Sequence, residues 1–195
     1  MFPAEPVFVT TSLAASAEAP RALPGLLSRL RAVVGGPPDP FATANRVAAA
    51  MAAAPPGLDV LSATHREALS DRLASHLVYA ERAFSVVALV VGPGQQTVIH
   101  DHLTWCVVTV LCGGEQETLY RDHGDHLAPV GHSINLTGTV TAFAPPGDIH
   151  RVCNASDSTA ISLHVYGVDL RRTGSSVRRT YQLPIREHTH NEEHP

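Results

Sequence analysis

The chain has 195 residues, a formal net charge of −4 and no lysine, so all fourteen basic residues are arginine. That length suits one domain with a substantial core, and the arginines form no run interleaved with aromatic residues, which argues against a nucleic-acid surface. No apolar stretch approaches a membrane span, and residues 1–25 lack a charged segment followed by an apolar core, so no membrane partner is expected and the expected compartment is the cytoplasm.

In chain order, Leu23, Leu26, Leu27, Leu30 and Val33 recur at helical spacing and predict a helix to Val34, stopped by Gly35-Gly36-Pro37-Pro38. An alanine-rich helix is predicted from Pro40 to Ala54, closed by Pro55-Pro56-Gly57. A third is predicted over Ser62 to Ala74, with Ser62 or Thr64 as cap and Leu69 and Leu73 facing inward. From Leu77 onward β-branched and apolar runs take over: Phe84 to Val91, Val107 to Leu111, Val140 to Phe143 and Ala160 to Tyr166, with a polar-faced strand at Glu117 to Arg121. Glycine breaks at Gly92-Pro93-Gly94, Gly113-Gly114, Gly124, Gly138 and Gly147 separate them. Short strands with regular turns predict a mainly β, double-sheet barrel of the jelly-roll kind with a helical N-terminal layer outside it. The expected organisation is a helical layer over residues 1–76, a barrel over 77–185 and a flexible tail over 186–195 that carries His188, His190 and His194.

Three cysteines, Cys106, Cys112 and Cys153, make an odd count without a Cys-x-x-Cys pair and predict buried thiols rather than a disulfide framework. Trp105 alternates with Cys106 and is assigned to packing, and Asp101 alternates away from its histidine neighbours. His123, His126 and His132 are read as surface histidines of a loop region. Arg178, Arg179 and Tyr181 are read as closing the bottom of the barrel or joining an interface.

The chemistry concentrates in two blocks. In the first, His100 and His102 stand two apart beside valines, so that a strand projects both imidazoles from one face with Cα atoms roughly 7 Å apart, a chelating separation. In the second, Pro145-Pro146-Gly147 forms a pre-organised turn ahead of His150, with Gly147 free to take positive φ. Three neutral histidines leave a divalent ion its charge and a free face, and the ligand set by itself admits iron or zinc. A third segment, Ser162-Leu163-His164-Val165-Tyr166, places a hydroxyl, an imidazole and a phenol on one strand face as one relay.

The spacings resemble the paired motifs of the cupin superfamily: Gly94, His100, His102, Cys106 and Gly113 in the first, and Pro145, Gly147, His150 and Asn154 in the second. Cys106 stands where most cupins place a glutamate ligand. With the Ser-x-His-x-Tyr row, the pattern over about residues 78–183 is similar to the thiol dioxygenases of the cysteine dioxygenase family. That resemblance implies a cupin barrel and Fe(II) held by His100, His102 and His150. It implies further that Ser162, His164 and Tyr166 orient substrate and dioxygen. Cys106 is the residue matching the family's thioether partner of the tyrosine, and a merely buried Cys106 is the alternative. Some family members place a carboxylate-binding arginine just after an early tyrosine, which makes Arg82, after Tyr79, the first candidate, against a surface ion pair with Glu81. Arg171 and Arg172 are the alternatives, and Tyr166 is a second substrate contact.

The implied function is Fe(II)-dependent oxidation of a small thiol, L-cysteine first, with O2 to the sulfinic acid, in a monomer or small homo-oligomer. The alternatives are 3-mercaptopropionate oxidation, a specialised thiol oxygenase that also decarboxylates cysteine, and a non-catalytic metal-binding cupin. A zinc hydrolase is disfavoured because no carboxylate occupies a motif position to act as base.

Overall fold

The computed structural model describes residues 20–37, 39–154 and 156–187. Ten antiparallel strands form two five-stranded sheets: β1 (Ala74–Glu81), β2 (Phe84–Val91), β3 (Ile99–His102), β4 (Cys106–Cys112), β5 (Gly114–Asp122), β6 (Leu127–Leu136), β7 (Val140–Phe143), β8 (His150–Cys153), β9 (Ala160–Tyr166) and β10 (Val177–Tyr181). One sheet runs β1-β2-β9-β4-β7 and the other β10-β3-β8-β5-β6. Each sheet thus interleaves strands from distant parts of the chain, which is the double-stranded β-helix of the cupin fold. Among the described residues no helix is long and apolar enough to cross a membrane.

The helices α1 (Leu23–Val34) and α2 (Pro40–Ala53) cover the outer face of the first sheet. Proline occupies the first turn of each, and Asp39 caps α2 by accepting from the Ala42 amide at 2.9 Å. Leu26, Leu30, Val47 and Met51 bury against Val86, Ala88, Val90, Val107, Leu163 and Val165. The alternate residues of the same strands point into the barrel. The first sheet is therefore buried on both faces, which is why β2 and β9 read as nearly unbroken apolar runs. Trp105 belongs to this outer core, on the opposite side from Cys106.

The third predicted helix does not form. The Ser62 hydroxyl does accept from the His65 amide at 3.3 Å, but only a single 3-10 turn, Thr64–Arg66, follows. Side chains then satisfy backbone carbonyls at and before the segment's start and within it: Arg66 donates to Leu61 and Ser62, and Gln95 to Leu69. Leu69 stays exposed, and the chain is already in β1 by Ala74. Besides β1, two strands were not anticipated. One is β6, assigned to a loop region from its glycines and aspartates; it is an edge strand, and Pro129 is tolerated in it at a register shift opposite Tyr120. His132 accordingly lies on a strand, exposed, beside the Thr118 hydroxyl. The other is the polar β10, which pairs with β3. His188, His190 and His194 lie outside the described residues.

Candidate metal centre and its relay

His100 and His102 project from β3 into the barrel, and His150, the first residue of β8, is the direct register partner of His100. Gly147 takes φ +102° in the turn that delivers it. One nitrogen from each imidazole lies within 4.8 Å of the others, and all three residues are buried. The ring Nδ1 atoms are engaged elsewhere: His100 with the Val98 carbonyl at 2.9 Å, His102 with Asp148 Oδ2 at 3.0 Å, and His150 with Glu117 Oε1 at 2.5 Å. Each bond leaves Nε2 as the nitrogen turned toward the centre, and His150 Nε2 is a buried atom without a protein hydrogen-bond partner. An orphaned nitrogen in a cluster of three imidazoles fits a divalent metal ion.

Burial, reinforced by the neighbouring imidazoles, pushes His100 and His150 down to about 3, so both are neutral donors at physiological pH. Burial raises the Glu117 carboxyl to about 7, although hydrogen bonding from Asn135 and the charge of His102 act the other way. Asp148 is held below the ordinary carboxylate range: its burial opposes ionisation, and the hydrogen bonds from His102 outweigh it.

Facing the histidines across the cavity, β9 presents Ser162, His164 and Tyr166 in one row. Ser162 Oγ lies 2.9 Å from His164 Nε2, and Tyr166 Oη lies 3.1 Å from His164 Nδ1. Burial among the other imidazoles lowers His164 to about 3, and burial raises the Tyr166 phenol well above its usual value. Cys106 is the direct register partner of Tyr166 between β4 and β9, and its sulfur lies 4.0 Å from His164 Nδ1. Burial keeps it a thiol. The three cysteines are free.

The cavity between these groups is small. Val87, Leu89, Val152 and Leu170 make its apolar wall, and Ser75, Thr97, Ser175 and Ser176 contribute hydroxyl-bearing residues. Among the described residues no arginine lines it. Arg82 is exposed because it lies in the two-residue turn between β1 and β2, beyond the last pair, Glu81 with Phe84. Nor does Arg82 pair with Glu81, which accepts from Arg31 at 2.9 Å and from Tyr79 at 3.0 Å. Arg171 is turned back onto Asp169, and Arg172 is exposed.

Asp101, the residue between the two β3 histidines, points out of the cavity as its alternation requires. It is fully buried under β10, where Arg178, Arg179 and Tyr181 all donate to its Oδ2, the tyrosine at 2.8 Å. Those three residues therefore close the barrel by fastening β10 to the back of the histidine-bearing strand.

Three acidic residues at the site were not singled out from sequence: Asp148 and Glu117, which anchor two of the histidines, and Glu115, which accepts from Ser162 Oγ at 2.8 Å. The available signal was Glu115-Gln116-Glu117, two carboxylates on one face of a barrel strand, since inward acids require partners.

With this geometry in view, comparison with known proteins gives a consistent result. The profile of the family described as cysteine dioxygenase type I matches residues 70–173. A protein with a double-stranded β-helix domain from Klebsiella pneumoniae subsp. pneumoniae MGH 78578 is similar at 18% identity and TM-score 0.44, over 54% of this chain and 85% of that one. A cupin superfamily protein from Desulfitobacterium hafniense DCB-2 is similar at 14% identity and TM-score 0.43, over 53% and 84%. The family profile spans more than half of the sequence and every histidine of the cluster and relay: the chain belongs to the cysteine dioxygenase type I family.

Proposed function

We propose that this protein is an Fe(II)-dependent thiol dioxygenase that converts a small thiol and O2 into the sulfinic acid. The observation that carries this reading is the three-histidine cluster facing the Ser162, His164 and Tyr166 row across one cavity. His100, His102 and His150 would hold the metal, and bound Fe(II) would supply the redox chemistry with dioxygen that no side chain can. Three neutral donors leave the site cationic, which favours a thiolate ligand over a neutral one. The apolar wall excludes water and suits a short alkyl chain. Tyr166, oriented by His164, stands where its hydroxyl can direct a hydrogen bond to the reacting sulfur or oxygen atoms. The balance is simple: thiol plus O2 gives sulfinic acid, with both oxygen atoms on sulfur. Free thiols throughout the chain suit a reducing cytoplasm.

L-Cysteine is the leading substrate. The hydroxyl-bearing lining and the outward position of Arg82 favour a second reading, in which the substrate's far end is recognised by neutral hydrogen bonds rather than by a guanidinium. Oxygen uptake by iron-loaded protein, with L-cysteine, 3-mercaptopropionate and cysteamine in turn, tests both. The expected product retains every carbon and gains two atoms of labelled oxygen. Thiol-independent behaviour toward all three would overturn the assignment, and a clear preference for cysteamine over 3-mercaptopropionate would select the second reading.

A further inference from the structure

The relay on β9 does not end at Ser162. Ser162 Oγ reaches Glu115 Oε1 at 2.8 Å, so four groups from two facing sheets form one chain: Glu115, Ser162, His164 and Tyr166. Glu115 and Ser162 are fully or almost fully buried, so water is a poor substitute for any of these bonds.

We propose that Glu115 is a positioning residue for Tyr166: the carboxyl group at the far end of the relay decides, through Ser162 and His164, whether the tyrosine hydroxyl hydrogen is held inside the relay or offered to the cavity. The reasoning is a count of hydrogens. Ser162 has one, the neutral His164 has one, and Tyr166 has one. When Glu115 is a carboxylate it only accepts, and leaving it unbonded in the interior is costly, so Ser162 donates to it. Ser162 Oγ then accepts from His164 Nε2, His164 Nδ1 carries no hydrogen, and Tyr166, at 3.1 Å a nearer and stronger donor than the Cys106 thiol at 4.0 Å, donates its only hydrogen to that nitrogen. When Glu115 is a carboxylic acid the order reverses. Glu115 donates to Ser162, Ser162 to His164 Nε2, and His164 Nδ1 to the Tyr166 oxygen, and the phenolic hydrogen is free to point at a bound substrate or oxygen atom. His164 stays uncharged in both arrangements and merely exchanges tautomers.

The surroundings suit this role. Burial is the main influence on Glu115, raising it to about 7, with Ser162 opposing the shift and Glu117 adding to it. The titratable groups about it are Glu117 on its own strand, Tyr166 on β9, His164 through Ser162 and, through Glu117, His150 on β8; β6 sets the uncharged Asn135 opposite it. Cys106 and Tyr166 remain protonated because burial raises both, so among the relay and its cysteine neighbour the hydrogen-donor count changes only at Glu115.

The proposal depends on the thiol-oxygenase reading only for what Tyr166 does with its hydrogen, and the experiment separates the two. The ring nitrogens of His164 are followed by 15N NMR in the full chain loaded with diamagnetic Zn(II), between about pH 5.5 and 8.5. The expected result is a neutral ring whose hydrogen moves from Nδ1 to Nε2 as pH rises, and a single pH-independent tautomer in Glu115→Gln. Iron-loaded wild-type protein is expected to lose about tenfold in kcat from about pH 6 to 8, with the Gln variant flat within about twofold. A His164 tautomer in wild-type protein that does not change with pH overturns the proposal whatever the activity, and that titration needs no variant to fold. A tautomer exchange without thiol-dependent oxygen uptake supports the relay and counts against the oxygenase reading instead.

Discussion

Asp148 Oδ2 accepts twice from His102, at 3.0 Å from the ring Nδ1 and 3.1 Å from the backbone amide. A single oxygen from the turn before β8 thereby fixes both the ring orientation of a β3 histidine and the strand that carries it. The two histidine blocks, 46 residues apart through this contact, are joined before any metal arrives. Asp148→Asn keeps the shape and removes the charge. Metal affinity, measured by competitive chelation, is expected to fall about 10- to 100-fold with the fold intact.

His150→Ala is expected to lose bound iron and oxygen uptake together, read by metal analysis of the purified protein and an oxygen electrode. Tyr166→Phe removes one hydroxyl from the relay and no nitrogen from the cluster. It is expected to keep its iron and lose about 10- to 100-fold in kcat, the scale of one oriented hydrogen bond. Full activity in either variant would count heavily against the proposed roles.

Asp101 tests what holds the metal strand from behind. Its burial opposes ionisation, yet the hydrogen bonds from Arg178, Tyr181 and Arg179 hold its carboxyl below the ordinary carboxylate range. A depressed carboxylate stabilises the fold above its unfolded value and loses that contribution as pH falls through the folded one. Asp101→Asn is expected to cost about 1–3 kcal/mol near neutrality, with the arginine share reduced because both guanidinium groups are half exposed. In urea titrations the gap between wild type and variant should shrink below about pH 4 and close further down.

Gly167 follows Tyr166 directly and lies under the Trp105 indole. A Cβ there would meet Trp105 Nε1 at 2.2 Å and Thr104 Oγ1 at 2.7 Å. Gly167→Ala is expected to cost about 1–3 kcal/mol in thermal or urea unfolding and to lower kcat more than metal content, since the displaced residue adjoins the phenol.

Arg82→Ala is expected to leave KM for every thiol within about twofold, because the side chain is exposed in a hairpin turn outside the cavity. A large rise in KM for L-cysteine or 3-mercaptopropionate alone would instead restore Arg82 as a carboxylate contact.

The histidines were legible before folding because their arrangement is local. Alternation along a strand puts His100 and His102 on one side and Asp101 on the other, and the same rule lines up Ser162, His164 and Tyr166. The helices α1 and α2 were equally plain, from periodic leucines, alanine and proline-glycine stops. The segment after Ser62 misled because its cap is real, but side chains from elsewhere occupy its carbonyls and no apolar stripe is buried to extend it.

Sequence by itself determined which residues share a strand face, and hence the imidazole donors, the relay and the β character of the barrel. Only the tertiary structure decided what those faces meet. Glu117 finds His150 because β5 lies beside β8, Glu115 finds Ser162 because two separate sheets close on each other, and β10 covers Asp101 by pairing with β3. Arg82 shows the converse, where the position of the β1–β2 hairpin turn carries a residue chosen for its neighbours in sequence out to solvent. The physical reason is common to all four: side-chain direction follows from short-range backbone geometry, whereas the partner across a barrel depends on strand order and register, which are set by the packing of the whole chain.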